Sequence, residues 1–261
     1  MTAHTRLNRS ESIATITFSQ PGRKNAMTLE MWSELREICA EIAAHDLSEH
    51  GDRVVVLTGE GDAFVAGADI SQFQHARSTP EDQDSYTATV NGAYADVAAL
   101  PQPTIAKVRG ACVGGGAAIA VSADIRIAAA DARFGVPPAR LGIGYPPDGV
   151  AALVRLIGPA WARQLLYTGD LVDAETAQRI GLVNEVVDGD ELDARVEELA
   201  LSMATRAPLS QRAANIAVEA FYDATKLDEA AAAVQRCSTS QDYHEGVAAF
   251  LEKRTARFMG H

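Results

Sequence analysis

The stretch from Arg109 to Asp124 reads RGACVGGGAAIAVSAD. The apolar run Thr104–Val108 precedes it and predicts a buried strand. Three glycines, Gly114, Gly115 and Gly116, then begin a run of small residues that favours a helix. Since the first N–H groups of a helix lack intrahelical acceptors and carry partial positive charge, this turn predicts a site for a bound anion or a developing oxyanion. The alternative is a tight turn that only allows close helix packing.

Composition limits the classes of function. The chain has 261 residues, of which 47% are hydrophobic and 22% charged, enough for a sizeable core in one large domain or in a domain with an appendage. A formal net charge of -12 argues against nucleic acid and against an anionic membrane surface as partners. The glycine spacing matches neither the dinucleotide-binding G-x-G-x-x-G nor a P-loop. An anionic ligand would therefore be met by a local basic patch or by backbone dipoles.

The cysteines and the first residues favour a cytoplasmic protein. Cys39, Cys112 and Cys237 are far apart and lack metal-ligand spacing, so we expect neither a disulfide framework nor a metal site. The N-terminal residues lack the apolar segment of a signal peptide, and no apolar run is long enough to cross a bilayer. We therefore expect a cytoplasmic location and no membrane partner.

Hydrophobic periodicity predicts an α/β chain that ends in helices. Strands are predicted at Ser12–Phe18, Arg53–Thr58, Thr104–Val108, Ile125–Ala129 and Leu182–Val187. Helices are predicted after Thr28 and after the glycines, and at Thr87–Leu100, Val150–Leu156, Ala160–Tyr167 and Ala174–Ile180. The polar stretch Ser71–Ser85 is predicted to be a mobile surface loop. Only helices are expected from Asp190 onward, so an α/β core is predicted to carry a helical appendage.

Ordered blocks of the sequence resemble the crotonase (enoyl-CoA hydratase/isomerase) superfamily. In chain order they are Arg23–Met27 (RKNAM), Val54–Ile70 with AFVAGADI, Pro103–Ile127 with CVGGGAA, Phe134–Gly158 and Ala174–Val187. The resemblance covers nearly the whole chain. It implies an α/β fold with a crotonase-type ββα spiral core over residues 1–190 that binds acyl-CoA. It further implies a C-terminal all-helical segment over residues 191–261 that assembles a homotrimer or homohexamer, and a coenzyme A thioester as substrate with no tightly bound cofactor.

The resemblance also implies roles for particular residues. The backbone N–H groups of Ala68 and Gly115 would form an oxyanion hole for the thioester carbonyl. Residues implied to line the groove for the CoA nucleotide and pantetheine are Arg23, Lys24, Ala26, Ala66, Asp69, Ile70 and Gly114. The structural alternatives are a plain turn at Gly67–Asp69 and a solvated turn at Arg23 and Lys24.

The sequence departs from the hydratase pattern at two positions. Hydratases of the family usually carry two glutamates that handle water, and these positions are Ala118 and Pro138 here. Neither side chain exchanges a proton, so the usual acid–base pair is absent. Tyr145 and Asp148 are the candidate acid/base residues, and the stretch with Tyr145 resembles methylmalonyl-CoA decarboxylase, which uses a tyrosine there. Alternatively, Tyr145 packs under the acyl pocket and Asp148 caps the next helix.

Three functions remain open. The first is an enoyl-CoA hydratase-like lyase of the family that uses Tyr145 or Asp148. The second is a crotonase-fold enzyme for decarboxylation of a malonyl-type CoA ester or for double-bond isomerisation. The third is a non-catalytic CoA-ester binding protein. The acyl chain length depends on how the Ser71–Ser85 loop packs; His75 in that loop either folds over the site or is solvent-exposed.

Overall fold

The computed structural model describes residues 3–45, 51–73 and 78–261. Its larger sheet contains β1 (His4–Ser10), β2 (Ile13–Ser19), β3 (Val54–Gly59), β4 (Thr104–Val108), β6 (Ile125–Ala129) and β9 (Glu185–Val187), in that spatial order. The first pair, β1 and β2, is antiparallel, and the pairs from β2 to β9 are parallel. Most residues of β2, β3, β4 and β6 are buried and many are Val, Ile or Thr, as expected for a parallel sheet covered on both faces.

A second, smaller sheet contains β5 (Ala111–Val113), β7 (Arg133–Gly135) and β8 (Val172–Asp173). Two isolated parallel bridges, Val65 with Cys112 and Met27 with Ala68, extend this second layer with short segments from earlier in the chain, one after β2 and one after β3. After β2, β3, β4 and β6, therefore, the chain passes through a short extended segment of the second layer. This repeated strand–short strand–helix arrangement confirms the predicted ββα spiral.

The helices are α1 (Leu29–Ala44), α2 (Pro80–Ala98), α3 (Gly115–Ser122), α4 (Pro147–Thr168), α5 (Ala174–Arg179), α6 (Leu192–Ala204), α7 (Pro208–Tyr222), α8 (Leu227–Ser238) and α9 (Gln241–Glu252). The Thr28 hydroxyl accepts a hydrogen bond from the Met31 N–H at 3.2 Å and so caps α1, the helix predicted after this residue. The two helices predicted at 150–156 and 160–167 are present as the two halves of α4, which is interrupted at Gly158 (φ 69°, ψ 167°) just before Pro159. Over the described ranges, no helix has the length and apolar character needed to span a bilayer.

The predicted loop at Ser71–Ser85 is wrong over residues 80–85. The Thr79 hydroxyl accepts from the Asp82 N–H at 3.1 Å, and the Asp82 carboxylate accepts from the Thr79 N–H at 3.1 Å. This capping box satisfies both donors, so α2 begins at Pro80. His75 lies outside the described residues.

Apolar packing covers both faces of the larger sheet. On one face, the helices α1 to α5 enclose the main core, whose largest fully buried side chains include Trp32, Phe18, Phe64 and Phe134. On the other face, α6 packs its apolar side chains against β3, β4 and β6; the buried residues there are Leu192, Val196, Ala200, Val54, Val56, Ile105, Ile127 and Ala129. The sheet of the same chain therefore covers Leu192 and Val196 without a second chain.

Candidate active site

Two glycine turns touch each other at one end of the spiral. Gly67 has φ of 116° and Gly114 has φ of 55°, values that favour glycine. A Cβ atom on Gly114 would lie 3.9 Å from the Cα of Gly67, and one on Gly67 would lie 3.3 Å from the Val113 carbonyl oxygen. This contact brings the residues that follow the two glycines, Ala68 and Gly115, close to each other.

The N–H of Ala68 points away from the strand segment that holds this turn. The Met27 N–H donates to the Gly67 carbonyl at 2.8 Å, and the Asp69 N–H donates to the Met27 carbonyl at 2.8 Å. In a parallel bridge the flanking residues make both bonds, so the groups of Ala68 itself face the other way. Ala68 is part-exposed, and in residues 3–45, 51–73 and 78–261 its N–H has no acceptor.

The N–H of Gly115 is the first donor of α3. The preceding turn is fixed because the Gly114 N–H donates to the Gly135 carbonyl at 2.8 Å and the Gly114 carbonyl accepts from the Ala118 N–H at 3.0 Å. Helix α3 also packs directly on the neighbouring segment, since a Cβ on Gly116 would lie 2.1 Å from the Val65 carbonyl oxygen. Gly115 is part-exposed and its N–H has no acceptor in the described part of the chain. Two amide donors without acceptors in the described chain thus follow two glycine turns that are in contact.

Aromatic residues enclose Gly115. A Cβ at this position would lie 3.0 Å from Cζ2 of Trp32 and 3.2 Å from the hydroxyl oxygen of Tyr94. The two rings meet edge to face, with centroids 5.3 Å apart. Burial raises the pKa of Tyr94 well above its ordinary value, and the neighbouring Tyr145 and Tyr86 add to the increase. Sequence reasoning missed Trp32 and Tyr94, although the spacing of Tyr86, Val90 and Tyr94 is typical of one helix face.

The two candidate acid/base residues differ in their surroundings. Tyr145 is part-buried. Its ring packs against Gly149, where an added Cβ atom would lie 2.7 Å from Cε1 of Tyr145. Burial raises the pKa of Tyr145, and the nearby Cys112 adds to the increase. The Tyr145 hydroxyl therefore keeps its proton at neutral pH. Asp148 is exposed in the first turn of α4, which has Pro146 as its N-cap and no side-chain cap bond. Asp148 therefore does not cap α4 through its side chain.

Ala118 and Pro138, which the resemblance places at the positions of the two usual glutamates, carry no ionisable group. Ala118 is buried in the first turn of α3, three residues after Gly115. Pro138 begins a short 3-10 turn, Pro138–Arg140. Any acid or base beside the two amide donors must therefore come from another residue.

Asp69 is held by neighbours within the chain. Its carboxylate accepts from Arg23 Nη1 at 2.6 Å, from the Ser71 N–H at 3.1 Å and from the Ser71 hydroxyl at 2.7 Å. Burial acts to raise the pKa of Asp69, but the hydrogen bonds from Ser71 and the charge of Arg23 outweigh it and hold that pKa below its usual value. The structure thus places Asp69 and Arg23 against each other, where they fix the loop after Ala68.

The other residues predicted for the CoA groove surround the same loop. The Ala66 N–H donates to the Lys24 carbonyl at 3.0 Å, and the Ala26 carbonyl accepts from Gln20 Nε2 at 2.5 Å. The side chain of Lys24 is exposed, with no ion-pair partner among the residues described. Ile70 is 55% exposed and leaves an apolar surface beside it.

A model of the enoyl-CoA hydratase/isomerase family matches residues 8–261. The chain belongs to the enoyl-CoA hydratase/isomerase family. The crotonyl-CoA hydratase of Syntrophomonas wolfei is 36% identical over 258 residues, which cover 97% of this chain and 96% of that protein. The short-chain-enoyl-CoA hydratase of Clostridium acetobutylicum is 35% identical over 255 residues, which cover 95% of this chain and 94% of that protein.

Solved structures of the enoyl-CoA hydratase/isomerase family have the same fold. An enoyl-CoA hydratase/carnithine racemase from Magnetospirillum magneticum matches with a TM-score of 0.91 and 37% identity, covering 98% of this chain and 96% of that one. The predicted superfamily and fold are therefore confirmed. As a member of the enoyl-CoA hydratase/isomerase family, the chain is an acyl-CoA enzyme.

Proposed function

We propose that the protein binds CoA thioesters with the carbonyl oxygen between the N–H groups of Ala68 and Gly115 and stabilises the enolate formed there. The observation that carries this proposal is the pair of part-exposed amide donors, without acceptors in the described chain, on two glycine turns in contact. Fixed donors of this kind favour the state in which the oxygen becomes negative. Loss of one such donor typically costs about 100- to 1000-fold in rate.

The proposed CoA groove runs over the loop that follows Ala68. Lys24 supplies a positive charge in a protein whose formal net charge is -12, and Ile70 supplies apolar surface. Ala26, Ala66 and Gly114 contribute backbone at this edge, while the ion pair of Arg23 with Asp69 keeps the loop in place. Arg23 therefore supports the groove through Asp69 rather than as a free cation.

The reaction that the site favours is one that needs few proton transfers. Hydration requires a base on water and an acid for the α-carbon, each worth roughly 100- to 10,000-fold, and Ala118 and Pro138 supply neither. In decarboxylation of a malonyl-type CoA ester, the electrons of the breaking C–C bond form the enolate and CO2 leaves. The Tyr145 hydroxyl then gives its proton to the α-carbon and recovers one from water. Hydration or isomerisation through Tyr145 or Asp148, and binding without catalysis, are the other outcomes of the test.

An activity screen with crotonyl-CoA, methylmalonyl-CoA and a 3-enoyl-CoA tests this proposal. We expect CO2 release from methylmalonyl-CoA that falls in Tyr145→Phe and is retained in Asp148→Asn, with weak or absent hydration of crotonyl-CoA. Crotonyl-CoA hydration at an ordinary enzymatic rate, unchanged in both variants, would contradict the reaction. A complex structure with the thioester oxygen beyond hydrogen-bond distance of both amides would contradict the oxyanion hole itself.

We also propose that α7, α8 and α9 of the 191–261 segment assemble a homotrimer or homohexamer. These helices expose large apolar side chains; the most exposed are Phe250 at 84%, Phe221 at 82%, Leu251 at 73%, Val218 at 59%, Leu227 at 58% and Val234 at 58%. Soluble monomers rarely expose contiguous apolar surface of this kind, so a second copy of the same segment is the occupant that best explains it.

A further inference from the structure

Asn25 is completely buried, and both ends of its side-chain amide are hydrogen-bonded. Its Nδ2 donates to the carbonyls of Glu60 at 2.9 Å and Ala63 at 2.8 Å. Its Oδ1 accepts from the Gln20 N–H at 2.9 Å. A Cβ atom on Gly59 would lie 2.7 Å from this Nδ2, so the turn after β3 packs closely around the amide. One side chain thus connects the segment after β2 to the turn after β3.

The backbone of Asn25 has a conformation that most residues avoid. Asn25 has φ of 57° and Lys24 before it has φ of 50°, so two consecutive residues other than glycine are left-handed. Asparagine adopts this conformation more readily than most residues do. Such conformations persist where the surrounding structure imposes them, and they are concentrated at functional sites. The three side-chain hydrogen bonds of Asn25 supply part of that constraint.

The residues next to Asn25 hold the turn that carries Ala68. The Lys24 carbonyl accepts from the Ala66 N–H at 3.0 Å. The backbone of Met27 bonds the residues immediately before and after Ala68, in both cases at 2.8 Å. A displacement of Asn25 would therefore change the direction of the Ala68 N–H.

The bond from Asn25 to Ala63 leads to the other amide donor. Ala63 begins a short extended segment, and two residues later the Val65 carbonyl accepts from the Val113 N–H at 3.0 Å. Val113 in turn leads into the turn that presents the Gly115 N–H. Asn25 thus contacts, directly or through one further segment, the supports of both amides.

We infer that Asn25 is a positioning residue that aligns the N–H groups of Ala68 and Gly115 on one carbonyl oxygen. It acts through the backbone and does not itself touch the CoA ester. This inference rests on the proposed function, because it takes the thioester oxygen to lie between these two amides. Aligned donors stabilise the negative oxygen of the transition state more than the neutral carbonyl, so loss of Asn25 should lower kcat more than it raises KM.

Infrared spectroscopy of bound butyryl-CoA, labelled with carbon-13 at its thioester carbonyl, tests the inference. Hydrogen bonds to the carbonyl oxygen lower its stretching frequency, so the shift on binding reports how well the amides are aligned in the folded protein. Asn25→Gly removes the side chain and still permits the left-handed backbone. We expect this variant to lose about half of the wild-type shift, because one of two donors is misdirected. The dissociation constant should rise less than about 10-fold.

Gln102→Leu is the matched control. Gln102 is also a fully buried amide that donates to a backbone carbonyl, that of Ile42 at 3.1 Å. It precedes β4, at the opposite end of this strand from the segment that leads to Gly115. Its loss should reduce stability and leave the carbonyl shift and the ratio of kcat to KM effects unchanged.

The outcomes separate failure of this inference from failure of the proposed function. A full wild-type shift in Asn25→Gly, or an equal loss of the shift in Gln102→Leu, overturns the positioning role and leaves the oxyanion hole standing. If the wild type does not bind butyryl-CoA, or binds it with the carbonyl frequency of the free thioester in water, the proposed function itself fails. Should circular dichroism show that Asn25→Gly is unfolded, Asn25→Asp takes its place. This variant keeps the acceptor for the Gln20 N–H and loses both donations, and a full shift there also overturns the inference.

Discussion

The guanidinium of Arg126 donates a 2.6 Å hydrogen bond to the carbonyl oxygen of Ala123, just after the last residue of α3. The same side chain donates to the carbonyls of Ala120 at 3.2 Å and Leu182 at 2.8 Å. Arg126 is 3% exposed, and burial lowers its pKa to about 10, which still leaves it charged at neutral pH. A buried cation thus holds the carboxyl end of the short helix whose amino end carries the Gly115 amide.

Arg126→Met is expected to lower the free energy of unfolding by about 3 kcal/mol, because three buried carbonyls lose their donor. Urea denaturation measures this, and CoA-ester affinity should fall as well because α3 is no longer fixed. Arg133→Met is the control, since exposed Arg133 also donates to backbone carbonyls, those of Asp131 and Ala132. Equal stability losses in the two variants would contradict a special role for Arg126.

Gly115→Ala is expected to reduce kcat/KM for the turned-over CoA ester about 10- to 100-fold, because the new methyl group collides with Trp32 and displaces the amide. Gly189→Ala is the matched control; its Cβ would meet Arg109 Nη1 at an ordinary 3.4 Å, away from the site. Steady-state kinetics of both variants decide the point. Unchanged turnover in Gly115→Ala would show that this amide does not contact the reacting oxygen.

Asp69→Asn is expected to lower the free energy of unfolding by about 1–2 kcal/mol at pH 7, because it weakens the bond to Arg23. The loss stays small because the Arg23 side chain is 53% exposed and solvent screens its charge. The pKa of Asp69 is lowered on folding, so its contribution is complete above the unfolded value near 3.8 and is lost as pH falls through the lower folded value. The stabilities of the wild type and the variant should therefore converge as the pH falls below the folded-state pKa of Asp69. Asp170→Asn, from the exposed pair with Arg140, should change stability by less than about 0.5 kcal/mol. A difference that persists unchanged at low pH would exclude an ionic origin.

Phe250→Asp combined with Phe221→Asp is expected to convert the assembled protein into monomers, because two charges would be buried in an apolar contact. Light scattering at micromolar concentration measures the mass. Glu197→Lys, an exposed charge change on α6, should leave the mass unaltered. A wild-type protein that is already a stable monomer would rule out the proposed assembly.

Ala118→Glu combined with Pro138→Glu is expected to raise crotonyl-CoA hydration at least ~100-fold, since it supplies the two missing proton-transfer groups. The double glutamine variant at the same positions has nearly the same shape and cannot exchange protons, so it should remain inactive. Absorbance loss of the conjugated thioester follows the reaction. Equal rates in the glutamate and glutamine variants would show that acid–base groups at 118 and 138 do not limit hydration here.

Sequence reasoning predicted elements that carry their own hydrophobic pattern. The strands β2, β3, β4 and β6 are apolar runs of five to seven residues, and the cap of α1 needs only Thr28 and the residues after it. In contrast, β5, β7 and β8 have two or three residues each, and the repeat of the spiral depends on single bridges such as Val65 with Cys112. Such elements exist through tertiary pairing, so local periodicity does not reveal them.

The candidate site likewise contains residues that sequence reasoning identified and residues that only the folded structure brings together. The oxyanion residues came from the resemblance and from the physics of a glycine-rich helix start, both of which are local in the sequence. Tyr94 lies 21 positions before Gly115, and only the packing of α2 against α3 brings its hydroxyl there. Arg126 makes a local bond to Ala123, but its bond to the Leu182 carbonyl spans 56 positions and depends on the tertiary fold. The start of α2 could have been predicted from the sequence, because Thr79, Pro80 and Asp82 form a standard helix start. The polar composition of this stretch led instead to the prediction of a loop.

The strand order of the larger sheet has a consequence for synthesis of the chain. Each strand from β1 to β9 in this sheet lies beside one that has already been made, so no earlier strand must open to admit a later one. We expect the sheet to grow from one edge as the polypeptide leaves the ribosome, with each new turn using the exposed edge of the last as a template. The final steps would then be the addition of β9 and the closing of α6 over the outer face, and truncation before α6 would leave a nascent chain with an open apolar face for chaperones to bind.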